Sequence, residues 1–311
     1  MPLKTIKKDT FDALTLEWIL QVKNYKLTVD KKHCVGCQIC SLACPKGAIK
    51  TQRQAKVQGE KAKKAKIDID LTKCNFCGIC DVTCPYGAIK VTLNGSHDLS
   101  VLAKESYPQL IRDIKVNVHQ CPKECKECEE VCPLKLIEVS RASFDGKPVE
   151  NFEALSQSAK NRVQVNVEIQ KDYCPTCRVC ELKCAPGALK VTKMFEGKIS
   201  INQEKCPEGC KDCLDVCPIT GALELKEDGK VHVNEAFCTY CGACKVVCPV
   251  EDALALKRTA VHHTPINSGT WNKSLERLTS TADAAKELRT VAGANRKSVV
   301  AKRFVLEETV K

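Results

Sequence analysis

Six short stretches of the chain alternate apolar and polar residues: Lys26–Asp30, Lys66–Asp70, Ile114–Val118, Val163–Ile169, Lys198–Asn202 and Lys230–Asn234. A period of two predicts half-buried strands. A small-residue turn and a second apolar stretch follow most of them, as at Gly47-Ala48-Ile49, Gly87-Ala88-Ile89, Gly187-Ala188-Leu189 and Gly221-Ala222-Leu223. Glu196-Gly197 and Asp228-Gly229 read as hairpin turns. The repeating unit is strand, loop, short helix, strand, and two units close into one α+β domain. Only in the tail does the period change. Leu275, Leu278, Ala282, Ala285 and Leu288 recur at helical spacing, which predicts an amphipathic helix.

Each loop carries four cysteines, and the six quartets use all 24 of them. Four have the spacing C-x2-C-x2-C-x3-C, and the third and fifth have one more residue in the first gap. A proline follows the last cysteine in all but the fourth, where Ala185 intervenes before Pro186. This is the spacing of bacterial-type [4Fe–4S] ligands, in which three thiolates hold one cubane and the fourth reaches the neighbouring cluster. Six clusters are expected. Site 1 takes Cys34, Cys37, Cys40 and Cys84; site 2 takes Cys74, Cys77, Cys80 and Cys44. Site 3 takes Cys121, Cys125, Cys128 and Cys184; site 4 takes Cys174, Cys177, Cys180 and Cys132. Site 5 takes Cys206, Cys210, Cys213 and Cys248; site 6 takes Cys238, Cys241, Cys244 and Cys217. The same cysteines are the only metal ligands expected, and the metal is iron. Pairing in sequence follows from the long–short, long–short alternation of runs three to six. A nested arrangement, with runs four and five inserted between three and six, is the alternative. Disulfide frameworks scatter their spacings, and structural zinc favours separated Cys-x2-Cys pairs, so neither suits this pattern.

Charge then changes its meaning. The formal +11 would suggest nucleic acid or an anionic membrane, but it counts the cysteines as neutral. Twenty-four thiolates contribute −24 and six oxidised cores return about +12, leaving the holoprotein near −1. No nucleic-acid partner is expected. Only 14 aromatics are present (7 Phe, 5 Tyr and 2 Trp), so clusters must substitute for part of the core. Thiolates of this kind belong in a reducing cytoplasm. The stretch Phe11–Leu20 is broken by Asp12 and Glu17 and reads as neither signal peptide nor span; no direct membrane span is expected.

The expected organisation is an N-terminal segment (1–25), ferredoxin domains at 26–95, 96–192 and 193–258, and a C-terminal extension (259–311) that binds a partner. The second domain carries an insertion between Pro133 and Tyr173, with a short helix near Phe152–Ala159. The lysine-rich loop 52–66 is a solvated segment or a dock for an acidic partner. No nucleotide-binding glycine motif or Walker loop occurs, and the six histidines form no metal-spaced set. No catalytic residue is expected. Tyr86, Phe76, Phe237 and Tyr240 stand beside the loops as packing residues that exclude water. What remains is electron transfer.

The quartet array, with its Cys-Pro-x2-Cys variants, resembles archaeal polyferredoxins. Together with the tail stretch His263-Thr264-Pro265-Ile266-Asn267-Ser268-Gly269-Thr270-Trp271-Asn272, it is similar to the polyferredoxin subunits of tungsten- or molybdenum-dependent formylmethanofuran dehydrogenases in methanogenic and related anaerobic archaea. That family carries four two-cluster domains where this chain has three. The resemblance implies a non-catalytic electron-transfer subunit that supplies a tungsten- or molybdenum-pterin partner reducing CO2 in methanogenesis-type metabolism, or working in reverse. Heterodisulfide reductase, hydrogenase or ferredoxin is the implied donor. The alternatives are the polyferredoxin of a hydrogenase or heterodisulfide reductase system, and a free multi-electron carrier.

Overall fold

The computed structural model describes residues 4–57, 59–149, 151–280 and 282–289. It opens with a hairpin that the sequence did not announce. β1 (Lys4–Asp9) and β2 (Ala13–Ile19) are antiparallel, and β2 extends the sheet onto β3 (Asn24–Asp30). Residues expected as an N-terminal appendage are thus part of the first module. Leu14 and Leu16 of β2 are buried beside Leu27 and Val29 of β3, while Phe11 at the turn is bare.

Three modules repeat one closure. In the first, α1 (Ile39–Ala43), β4 (Ile49–Gln52), β5 (Lys66–Ile69), α2 (Ile79–Val82) and β6 (Ile89–Leu93) follow β3. The outer strands β3 and β6 pair, as do the inner strands β4 and β5. A linker with the single-turn α3 (Ser100–Ala103) leads to the second module. It comprises β7 (Ile114–Val116), α4 (Glu127–Glu130), β8 (Ile137–Ala142), α5 (Gln157–Arg162), β9 (Gln164–Ile169), α6 (Val179–Lys183) and β10 (Leu189–Val191). Here β7 pairs β10 and β8 pairs β9. The third has β11 (Phe195–Ile201), α7 (Asp212–Val216), β12 (Leu223–Leu225), β13 (Val231–Val233), α8 (Ala243–Val247) and β14 (Leu254–Val261), with β11 on β14 and β12 on β13. Among the described residues no strand beside the fourth cysteine run pairs with one beside the fifth, so the nested arrangement has no counterpart in the sheets.

Three local expectations change. Glu196-Gly197 is no turn: both residues lie inside β11, where the register shifts, and a Cβ on Gly197 would stand 2.4 Å from the Lys257 carbonyl oxygen. The insertion helix starts five residues late, at Gln157, because Ser156 caps it by accepting from Ala159 N–H. The lysine-rich loop finds its acidic partner within the chain. Lys56 Nζ lies 2.5 Å and Arg53 Nη2 3.4 Å from the buried Asp212 carboxylate on α7, and Ala62 N–H donates to Asp215.

The tail departs most from expectation. α9 (Gly269–Leu278) begins at Ser268, whose hydroxyl accepts from Trp271 N–H, and ends at Thr279; a further helical run covers 282–289. The predicted continuous stripe is therefore split. Its first part is covered by this chain, not by a partner: Leu275 is 0% and Leu278 2% exposed, packed with Trp271 into the main core. Ser274 Oγ donates to Ala43 O and Arg277 Nη1 to Cys44 O, which fastens α9 onto α1. Trp271 meets Tyr107 edge-on at 5.2 Å and His263 at 4.6 Å, and His263 Nε2 lies 2.6 Å from Glu287. Residues 290–311 of the extension lie outside the described residues.

Candidate iron–sulfur sites

The cysteine loops are shaped by left-handed residues at fixed positions. Two residues after the first cysteine of the four short runs stand Gly36, Phe76, Thr176 and Tyr240, and four residues after it stand Gln38, Gly78, Arg178 and Gly242; all eight have φ between 52° and 91°. Alternating handedness of this kind turns successive N–H groups inward and makes a concavity for an anion. Phe76, Thr176 and Tyr240 hold this conformation without being glycine, which costs about 1–3 kcal/mol each. Their burial, between 1% and 6% exposed, keeps them there. Backbone N–H groups reach sulfur directly: Tyr240 to Cys238 at 3.4 Å, Ala48 to Cys44 at 3.4 Å, Ala88 to Cys84 at 3.3 Å and Leu136 to Cys132 at 3.3 Å.

Sulfurs gather across each module in the crossed sets. Cys84 acts as a like charge on Cys34, Cys37 and Cys40, and Cys44 acts on Cys74, Cys77 and Cys80. In the second module Cys184 acts on Cys121 and Cys128, and Cys132 on Cys174, Cys177 and Cys180. In the third Cys248 acts on Cys206 and Cys213, while Cys217 joins Cys238, Cys241 and Cys244. Three cavities repeat the grouping. About 420 Å3 of unfilled space, counting that open to solvent, is lined by Cys132, Cys174, Cys177 and Cys180. Another, of about 390 Å3, is lined by Cys121, Cys125, Cys128 and Cys184. A third, also about 390 Å3, is lined by Cys217, Cys238, Cys241 and Cys244.

The donor chemistry distinguishes the possible occupants. All 24 cysteines are free of disulfides. A tetrahedral zinc would draw four sulfurs to about 3.8 Å from one another. Among the described residues no three His, Cys, Asp or Glu side chains are placed to hold a single metal ion. Sulfurs set around a cavity suit a larger inorganic core. Burial, before any charge effect, pushes the thiols up: Cys34 to about 11, Cys177 and Cys213 to about 12. Such groups stay protonated in water-like conditions unless a metal takes the proton's place.

The modules meet through sites 1, 4 and 6. Cys37 and Cys241 feel each other's charge across the first and third modules. Tyr86 Oη lies 3.2 Å from Thr239 Oγ1 at the same seam. Gly87 packs on the second module so closely that a Cβ would stand 2.5 Å from Asp172 O. Met194 N–H donates to Thr176 Oγ1 at 2.8 Å, and Cys177 and Val179 pack with Ile219 and Ala222. The sulfurs of sites 2, 3 and 5 feel cysteines of their own module, although α7, which carries Cys213 of site 5, also meets the loop 53–64 of the first module. Three residues at the seams escaped the reading of the sequence: Arg112, Lys193 and Arg258. Arg258 had a signal, because the alternation of Leu254, Leu256 and Ala260 puts it on the inward face of β14, where an apolar residue is due. Of the four aromatics expected beside the loops, Phe76, Tyr86 and Tyr240 are buried, and Phe237 covers Gly221.

A chain that folds as repeated strand-paired modules around cysteine quartets is an iron–sulfur protein whose role is electron transfer. Residues 33–88 and 198–249 each match a family model described as a 4Fe-4S dicluster domain. No curated protein matches the sequence. Over 90% of its length the chain superposes, at TM-score 0.76 and 32% identity, on 92% of a chain from the formate dehydrogenase–heterodisulfide reductase–formylmethanofuran dehydrogenase complex of Methanospirillum hungatei. This chain belongs to the 4Fe-4S dicluster ferredoxins, with the domains in tandem. Among the described residues no helix is long and apolar enough to cross a membrane.

Proposed function

We propose that the chain is a polyferredoxin subunit that carries low-potential electrons through six [4Fe–4S] clusters to the metal-pterin catalytic subunits of a formylmethanofuran dehydrogenase. The observation that carries this reading is the likeness, over nearly the whole chain, to one from a complex containing that enzyme. The clusters take the ligands of sites 1 to 6, paired in sequence within units 26–95, 96–192 and 193–258. The sulfur groupings and strand pairings support that assignment. Each cluster, once bound, accepts and returns one electron. The chain's own part is to fix the sulfurs, aim N–H groups at them and exclude water with Phe76, Tyr86 and Tyr240. Because sites 1, 4 and 6 face one another across the seams, the three modules share electrons at a common centre and exchange them with partners at sites 2, 3 and 5. Heterodisulfide reductase is the favoured donor, since the similar chain comes from a complex that contains it.

The test is anaerobic purification of the tagged chain from its native cells. The expected result is about 24 iron atoms per chain and co-purification of a tungsten- or molybdenum-pterin subunit. Stoichiometric zinc, or a nickel–iron hydrogenase large subunit in its place, would overturn the reading.

A further inference from the structure

Three cations stand at the three seams, one to each. Between the first and second modules, Arg112 donates from Nη2 to Cys84 O at 2.8 Å and from Nε to Cys174 O at 3.3 Å. Between the second and third, Lys193 Nζ donates to Cys238 O at 2.8 Å and to Glu235 O at 2.6 Å, and feels the charge of Cys177. Between the third and first, Arg258 donates to Tyr240 O at 2.8 Å and Cys241 O at 2.7 Å, and feels the charge of Cys37. Each cation thus serves two sites, and each of sites 1, 4 and 6 is served by two cations.

None of the three has a carboxylate at ion-pair distance among the described residues. Arg258 is only 6% exposed. An unpaired buried charge is strongly unfavourable, so something must answer it. The largest opposite charge that each feels is a sulfur: Cys84 for Arg112, ahead of Asp172; Cys238 for Lys193, ahead of Glu235; and Cys37 followed by Cys241 for Arg258. The outer sites are furnished differently. Arg277 on Cys44 O is exposed, and so is Lys56, which acts on Cys210. Water screens such charges. Lys230, which acts on Cys206, is half-buried but donates to Gln203 O and bridges no second site. Carboxylates do not separate the two groups, since Asp81 acts on Cys80 of site 2, Asp30 on Cys34 of site 1 and Glu235 on Cys238 of site 6; the bridging cations do.

We infer that Arg112, Lys193 and Arg258 are fixed counter-charges that hold sites 1, 4 and 6 at higher reduction potential than sites 2, 3 and 5, so that an electron entering at any outer site settles at the centre before it leaves. Reduction adds one electron to a core, from 2+ to 1+, and makes or breaks no bond. The electron comes from a low-potential donor at one outer site and departs to an acceptor at another. A nearby positive charge favours the more negative, reduced state and so raises potential. The inference rests on the reading that these sites hold cubanes.

The experiment is a potentiometric titration of the full-length holoprotein, followed by electron paramagnetic resonance. In the native chain three of the six clusters are expected to reduce at higher potential than the other three. In Arg258→Met two of those three shift down, the ratio of reduced to oxidised cluster at fixed potential falling about tenfold, which is about 59 mV for one electron. Arg258→Lys restores most of the shift, because a cation is back in place. Arg112→Met and Lys193→Met each displace a different pair, and every central cluster moves in two variants. Full iron with unmoved potentials in these variants, or a native chain whose six clusters reduce as one cohort, overturns the inference. The native titration decides even if a variant fails to fold. Failure of the cubane reading shows separately, as native iron well short of about 24 per chain.

Discussion

Ending the chain at Ser268 removes α9 and all that follows, yet spares every cysteine and the whole of β14. Were the tail only a partner-binding arm, iron content would not change. The packing demands otherwise. Trp271, Leu275 and Leu278 are at most 2% exposed, and each contributes about 1.5–3 kcal/mol by burial. Their sum, roughly 5–9 kcal/mol as an upper value, is of the order of a whole module's stability. The loss falls on α1, whose capping residue is Cys44, the fourth sulfur of site 2. Removing Ser274 and Arg277 also takes the side-chain donors from the carbonyls of Ala43 and Cys44, the latter keeping only Gly47 N–H. The truncated protein should therefore lose site 2 first, giving about 20 iron atoms per chain instead of about 24, since a cubane holds four. Trp271→Ala should show the same weakness at a cost of about 3–5 kcal/mol, read as a lower thermal midpoint. Anaerobic iron analysis and resonance spectra on one sample are the assay. A truncated chain with full iron and an unchanged midpoint refutes the reasoning.

Cys84→Ser should damage site 1 and spare site 2, and Cys44→Ser should do the reverse; resonance spectra of the two variants check this, and loss of the same cluster in both would break the crossed assignment. Asp212→Ala should loosen the loop 53–64 on α7, leaving only the Ala62–Asp215 bond, and raise its cleavage by trypsin severalfold, measured as the rate of nicking. Iron removal by a chelator should unfold much of the chain, seen by circular dichroism, because the cysteine sulfurs belong to the cores. Assembly releases protons from thiols that burial holds near 11 to 12, at Cys34 and Cys177 among others, so iron should be retained better at pH 8 than at pH 6. Retention that ignores pH would contradict that account.

Much of the array could be read from residue order, for a physical reason. A ligand loop has to present three sulfurs from one short segment, so the spacing is fixed locally, and the strands beside it alternate because one face is buried. Five of the six predicted strands lie within two residues of the observed ones at both ends, and the sixth, β11, starts three residues early to take in the bulge at Gly197. What escaped depends on contacts between distant segments. β1 and β2 carry a weak alternation that only the edge of β3 makes meaningful. α9 showed its apolar stripe, but nothing in the stripe says whether α1 or another protein covers it. The lysine-rich loop, expected as a solvated segment or a dock for an acidic partner, is neither: it meets Asp212 of its own chain, over 150 residues away, which could not be singled out from other aspartates.

The junction between α1 and α9 also bears on how the protein is made. A chain leaves the ribosome from its N-terminus, and domains form as they emerge. The first module has its hairpin, both helices and all eight cysteines soon after residue 93 is exposed, but the cover over α1 is encoded some 230 positions later. Until α9 emerges, the carbonyls of Ala43 and Cys44 lack the donors from Ser274 and Arg277. The module made first is therefore finished last. Chains that stop short of α9 are expected to keep a first module that holds its iron less well than the full chain.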